Sequence, residues 1–152
     1  MPCACRAPVP DYPENAEWGP ILWKILHGLA ERARGDEFRE WSKMIKLTGE
    51  MLPCDECRSH YSQFLKQRPL TQTPELKTTL RTWFWDLHNE VNLRTGKPEY
   101  PFDFSQYSKV DLQDLLWQLD PVMKKAIQIN GVGLLKYIHW INSVKMLRSL
   151  LF

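Results

Sequence analysis

Apolar residues recur at three- and four-residue intervals along most of the chain, and strand-like alternation with hairpin turns appears nowhere. Leu22, Ile25, Leu26, Leu29 and Ala33 form one such stripe and predict a helix from about Trp18 to Ala33, closed by Gly35 and Asp36. Phe38, Trp41, Ile45, Thr48 and Leu52 predict a second, from about Asp36 to Met51. A third opens around Cys54 and fades near Arg68-Pro69. Thr73-Pro74-Glu75 reads as an N-cap, a first-turn proline and an acidic first-turn residue, opening a helix to about Arg94. Its core face is Leu76, Leu80, Trp83, Leu87 and Val91, with Gly96 as C-cap and Pro98 as stop. Residues 98–107 form a loop rich in proline and aromatics. Ser108-x-x-Asp111 is a capping-box-like start for a helix through about Leu119. Asp120-Pro121 starts another, ended by Gly131, and a last helix carries the chain to Phe152. The pattern is all-α: a helical bundle with a C-terminal helical extension. Residues 1–17, punctuated by Pro2, Pro8, Pro10 and Pro13 and lacking an apolar period, read as a flexible arm.

Length and charge narrow the class. A chain of 152 residues is one domain with room for a real core. Its 20 basic and 18 acidic residues balance too closely to argue for nucleic acid. Met1-Pro2-Cys3-Ala4-Cys5-Arg6 has no apolar segment of the kind a secretory signal needs. The apolar stretch Val132 to Phe152 carries Lys136, His139, Lys145 and Arg148, so it reads as a soluble or interfacial helix rather than a membrane span. With no signal, the expected address is cytoplasmic, an odd place for disulfide chemistry because that compartment is reducing.

The chemistry concentrates in Leu52-Pro53-Cys54-Asp55-Glu56-Cys57-Arg58-Ser59-His60-Tyr61. Two thiols at i and i+3 at a helix start lie within reach of a short-loop disulfide. Free N–H groups there favour thiolate, and Pro53 suits the first turn. Haem attachment needs His directly after the second Cys, and Arg58 stands there instead. A thioredoxin-like site needs a βαβ context that this chain lacks. Zinc stays open as the alternative, with Cys54, Cys57 and His60 as three ligands or all four cysteines as a four-thiolate site, in a non-catalytic helical interaction module. Cys3-Ala4-Cys5 is too tight for the usual zinc spacing. A disulfide between i and i+2 closes a small strained ring of the exchange-prone kind, while the plainer reading is two unpaired thiols.

A dithiol needs somewhere to send two electrons. Gly19, Trp23 and His27 form a second stripe on the first helix, and Trp85, His88, Asn89 and Asn92 cluster on the helix ending at Arg94. Planar rings and amides on two helices suit a buried planar cofactor, although each Trp taken singly is more often core and each His more often a satisfied packing residue.

Three motifs in order, Gly19-Pro-Ile-Leu-Trp23-Lys-Ile-Leu-His27, Pro53-Cys54-Asp-Glu-Cys57-Arg-Ser-His60-Tyr61 and Leu87-His88-Asn89-Glu90-Val91-Asn92 with Gly96-Lys97-Pro98, resemble the Erv/ALR family of FAD-linked sulfhydryl oxidases. The resemblance covers residues 18–104, leaving 105–152 as the helical extension. It implies a four-helix bundle with a short fifth helix, FAD in its mouth, and a homodimer. It implies that Cys57 is the flavin-proximal thiol, in charge-transfer contact with the isoalloxazine, and Cys54 the interchange thiol. Gly19, Trp23, His27, His60, Tyr61, His88, Asn89, Asn92 and Lys97 match positions that contact FAD in the family, and no metal is implied. Cys3 and Cys5 resemble the family's shuttle pair in role. The implied partners are a thiol-containing protein or thioredoxin-like substrate and dioxygen, with hydrogen peroxide as product; membrane contact through the C-terminal helices is a lesser option. A structural disulfide common in the family is missing: its positions hold Trp85 and Phe104, an aromatic pair expected to replace it. Shortness, the missing staple and the helical tail resemble members encoded by large cytoplasmic DNA viruses, for which the address is host cytoplasm or virion.

Overall fold

The computed structural model describes residues 12–152, and these form six α-helices with no strand. They are α1 (Asn15–Ala30), α2 (Phe38–Met51), α3 (Asp55–Gln67), α4 (Leu76–Arg94), α5 (Leu112–Gln128) and α6 (Leu134–Leu151), with a 3₁₀ turn at Ser105–Tyr107. The all-α expectation is met, and the stripes that predicted it face inward. Ile25, Leu29, Trp41, Met44, Leu80 and Phe84 are fully enclosed in one hydrophobic cluster.

The C-terminal helices join that same cluster. Helix α6 lies along α2, where Trp140 Nε1 donates to Thr48 Oγ1 at 2.9 Å. The Thr48 hydroxyl itself donates to the Met44 carbonyl at 2.8 Å, so a buried polar group in the core stripe is satisfied. Helix α5 lies along α1. Lys125 reaches Glu17 at 3.3 Å on its rim, and Val110 just before it packs so close to Gly28 that a Cβ there would sit 2.2 Å from the Val110 side chain.

Several helix ends differ from the sequence reading. Helix α1 starts at Asn15 and stops at Ala30, three residues early at each end. Glu14 and Glu17 start it as a capping box: the Glu14 N–H donates to Glu17 Oε2 at 2.7 Å, while Glu is an uncommon N-cap residue, which hides the start in the sequence. Pro53 sits before the cap of α3, not in its first turn, because Cys54 is the N-cap. Helix α4 begins at Leu76; Thr73 is not its cap but shares a hydroxyl hydrogen bond with Thr79 at 2.6 Å. Asp111, not Ser108, caps α5, accepting from the Asp114 N–H at 3.1 Å.

The two helices expected either side of Pro121 are one. Leu112, Leu115, Leu116, Leu119, Met123 and Ala126 keep an unbroken helical period of buried positions through it. Pro121 and Trp117, four residues back, are both on the exposed face, so the hydrogen bond that proline forfeits is lost where water replaces it. Gly131 is not the left-handed residue that ends α5. Asn130 is, at φ 60°, with the Gly131 N–H on the Ala126 carbonyl (2.8 Å) and the Asn130 N–H on the Ile127 carbonyl (3.0 Å), a Schellman pairing. Gly131 is needed for space, because the Tyr12 ring occupies the position a Cβ would take.

Candidate redox site

Helix α3 carries the two cysteines at its N-terminus. Cys54, extended at the N-cap, and Cys57, one turn in, form a disulfide with Cα atoms 5.1 Å apart. Cys54 Sγ accepts the Cys57 backbone N–H at 3.2 Å, and Asn15 Nδ2 of α1 approaches Cys57 Sγ at 3.7 Å. Arg58 fastens the helix start. Its guanidinium donates to the Leu52 carbonyl, to Gly131 O at 3.1 Å in the α5–α6 turn, and to Asp55. Behind the pair, Tyr61 is buried flat against Gly49 of α2 and donates to the Ile45 carbonyl at 2.5 Å. Burial pushes its phenol above the ordinary range.

Cys54 and Cys57 both line a cavity of about 590 Å³ between α1, α3 and α4. That volume suits a sizeable organic ligand. Gly19, Trp23, His60, Tyr61, His88, Asn92 and Lys97 all line it. His27 and Asn89 do not. His27 is enclosed beneath the wall, its Nε2 3.0 Å from His88 Nδ1. Asn89 turns to the loop after α4: its Oδ1 accepts the Tyr100 N–H at 2.5 Å. Asn92 joins it, donating to Pro98 O at 3.0 Å, and Trp85 Nε1 donates to Tyr100 O at 2.8 Å. His60 is half-buried and leans on Glu56, 3.8 Å away. At the end of α4, Gly96 at φ 72° turns the chain so that the Lys97 N–H caps the Asn92 carbonyl at 2.8 Å, which brings Lys97 to the cavity.

The pinned loop completes the wall. Trp23 and His88 lie parallel with centroids 3.9 Å apart and planes within 3°; Tyr100 covers the other side of His88 at 4.1 Å, and Tyr107 covers His27 at 4.6 Å. Tyr100 and Tyr107 share a hydroxyl hydrogen bond. Neither tyrosine carries a motif signal in the sequence beyond the aromatic richness of 98–107. The expected Trp85–Phe104 pair is instead relayed: Trp85 meets Phe102 edge-on at 5.3 Å, and Phe102 meets Phe104 at 4.9 Å.

Both buried imidazoles are held neutral. Desolvation and then the neighbouring His88 push His27 down to about 3; desolvation and then Lys97 push His88 down to about 4. An unfolded histidine takes its proton near pH 6.5, well before the folded ones can, so folding stability falls as pH drops below about 6.5. On the order of 2 kcal/mol per ring is expected to be lost between pH 7 and pH 5, read from urea unfolding midpoints. A stability unchanged over that window contradicts the neutral pair.

A sequence model of the Erv1 / Alr family matches residues 20–113, more than half of the chain. The chain belongs to the Erv1/Alr family. The matched segment runs from the first turns of α1 to the start of α5 and includes the cysteine pair and the aromatic wall. The chain is 27% identical over 89 residues to the FAD-linked sulfhydryl oxidase ERV1 of Oryza sativa subsp. japonica, covering 56% of this chain and 45% of that protein. It is 31% identical over 88 residues to the FAD-linked sulfhydryl oxidase ERV2 of Saccharomyces cerevisiae, covering 55% and 44%. With 347L of Invertebrate iridescent virus 6, whose name assigns the same activity provisionally, it shares 33% over 97 residues, covering 55% and 84%. The chain thus spans about half the length of the rice and yeast relatives. No solved structure matches it.

The wall itself fits the flavin nucleotide those names carry. One buried donor among the described residues, Trp18 Nε1, has no protein partner, and Trp18 is among the residues that line the cavity. Such a group invites a ligand acceptor. The Trp23–His88 stack presents flat aromatic surface, and Lys24, Arg94 and Lys97 bring positive charge to the same cavity, suited to phosphate. The zinc alternative is not favoured: the two sulfurs are joined to each other, His60 faces Glu56, and no cluster of three metal-binding side chains forms among the described residues. Among those residues no helix is long and apolar enough to cross a membrane. Cys3 and Cys5 lie outside the described residues.

Proposed function

We propose that this chain is an FAD-dependent sulfhydryl oxidase that makes disulfides in substrate thiols. The observation that carries the proposal is a disulfide at a helix N-terminus whose two cysteines line a cavity walled by stacked Trp23 and His88. Family membership supports the same reading.

In this reading a substrate thiolate attacks Cys54 Sγ along the S–S axis and releases Cys57. The second substrate thiol then resolves the mixed disulfide, leaving an oxidised substrate and a reduced Cys54/Cys57 pair. Trp23, His88 and Trp18 would hold the flavin ring system, and Lys24, Arg94 and Lys97 the phosphates. FAD held there would supply the two-electron acceptor for the reduced cysteines, with dioxygen as final oxidant and hydrogen peroxide as product. The chain's own part is to place Cys57 on the cavity wall and to keep the imidazoles neutral behind the Trp23–His88 stack. The test is oxygen uptake by the FAD-loaded protein with dithiothreitol. One hydrogen peroxide per disulfide formed is expected, and no uptake above free FAD refutes the activity.

Cys3 and Cys5 are proposed as the shuttle pair that meets protein substrates first. The described chain begins at Tyr12, and Asn15 already touches Cys57. The ten residues from Cys5 to Asn15 span up to about 35 Å when extended, enough to reach the pair. Cys3→Ala/Cys5→Ala is expected to leave dithiothreitol oxidation unchanged while slowing a reduced protein substrate at least about tenfold, measured by oxygen uptake with each. Equal losses on both substrates remove the shuttle. The family resemblance also implies a homodimer, and the short chain with its helical tail is proposed to be of viral origin, alongside relatives such as that of the iridescent virus.

A further inference from the structure

The two sulfurs of the disulfide have donors of different kinds. The donor to Cys54 Sγ is the Cys57 backbone N–H, fixed by the start of α3. The donor to Cys57 Sγ comes from another helix: Asn15 Nδ2, 3.7 Å away and 42 positions distant in sequence. Asn15 is exposed, stands at the first position of α1, and precedes the segment matched by the family model.

An amide N–H binds a thiolate more strongly than a neutral sulfur, because the acceptor then carries full charge. In thiol–disulfide exchange a leaving thiol of lower pKa departs faster. We propose that Asn15 is a further residue of the exchange step, its side-chain amide receiving Cys57 as the leaving thiolate when the Cys54–Cys57 disulfide opens. The inference rests on the reading of that pair as redox-active. The incoming thiolate forms a bond to Cys54 Sγ; the Cys54–Cys57 bond breaks, and its electron pair stays on Cys57 Sγ. The second substrate thiol, losing its proton to solvent, bonds to the first substrate sulfur and expels Cys54 as thiolate. The substrate is oxidised by two electrons and the pair reduced by two.

Other charges share the setting. On α3, Asp55 is paired with Arg58, and Glu56 leans on His60. From the opposite walls come Lys24 of α1, His88, Glu90 and Arg94 of α4, and Lys97 after it, with Glu17 and Lys125 paired on the α1–α5 rim. All are unaltered by a change at Asn15, so a wild-type comparison isolates the amide.

The test uses the full chain with Cys3→Ala/Cys5→Ala, so that only Cys54 and Cys57 report. Two quantities are read by mass spectrometry. One is the pH profile of iodoacetamide alkylation at each cysteine after reduction; the other is the rate at which dithiothreitol opens the disulfide. Asn15→Ala is expected to raise the Cys57 alkylation midpoint by about one pH unit, leave that of Cys54 unchanged and slow opening about threefold. Asn15→Asp, of the same shape but without the N–H and with like charge, is expected to exceed Ala in both. Because Glu14 and Glu17 start α1 without Asn15, both variants keep the helix. Wild-type profiles and rates in both variants overturn the proposal. A wild-type disulfide that dithiothreitol never opens fails differently and overturns the redox reading as well.

Discussion

Cys57→Ala is expected to eliminate dithiol oxidation while leaving FAD bound, a fall in turnover of at least a thousandfold on the order seen when a covalent nucleophile is removed. The size follows from position. Cys57 lies on the cavity wall one turn inside α3, partly buried, and no other thiol stands among the described residues except its partner Cys54. Alanine keeps the helix and the packing of Tyr61 and Phe64 beneath it, so the loss is chemical rather than structural. Oxygen uptake with dithiothreitol reads the activity; the visible spectrum after gel filtration reads retained flavin. Activity within tenfold of wild type would mean that electrons reach the acceptor by another route.

Trp23→Ala is expected to cost cofactor retention more than folding. Trp23 is half-buried, one face against His88, and it lines the cavity. Removing it strips the aromatic wall from the ligand side and leaves His88 without its stacking partner. A loss of about 3 kcal/mol, or roughly a hundredfold in the dissociation constant of FAD, is expected. The thermal midpoint of the FAD-free chain should fall far less than for Trp41→Ala, whose ring is fully enclosed between α2 and α4. Trp23→Phe should retain most of the affinity. If Trp23→Ala binds FAD as wild type does, the Trp23–His88 stack is core packing and not a ligand wall.

The helices and their inward faces were legible because a 3.6-residue period is written in consecutive residues. Local punctuation was less dependable. Pro121 reads as a break, yet the buried stripe from Leu112 to Ala126 continues through it, since the lost hydrogen bond falls on the solvent face. The cysteine pair and the Trp23/His88 wall were legible as chemistry at motif spacing. What was not legible is what a side chain does with backbone at a distance: Asn89 and Trp85 hold both backbone groups of Tyr100, an arrangement with no periodic trace. The same holds for Asn15 against Cys57, which needs the fold to bring α1 to the start of α3. His27 illustrates the reverse case, a motif residue whose place in the structure is under the wall, against His88, rather than on it.

We propose that Cys54 and Cys57 pass electrons between a thiol substrate and a flavin in the adjoining cavity. The most direct measurement is the visible absorption spectrum of the FAD-loaded protein with dithiothreitol, first without oxygen and then with air admitted. A flavin spectrum that bleaches under the first condition and returns under the second as the dithiol is consumed is expected. A flavin band that dithiothreitol leaves unbleached in the absence of oxygen would contradict it, and a protein that takes up no FAD would contradict the cavity as well.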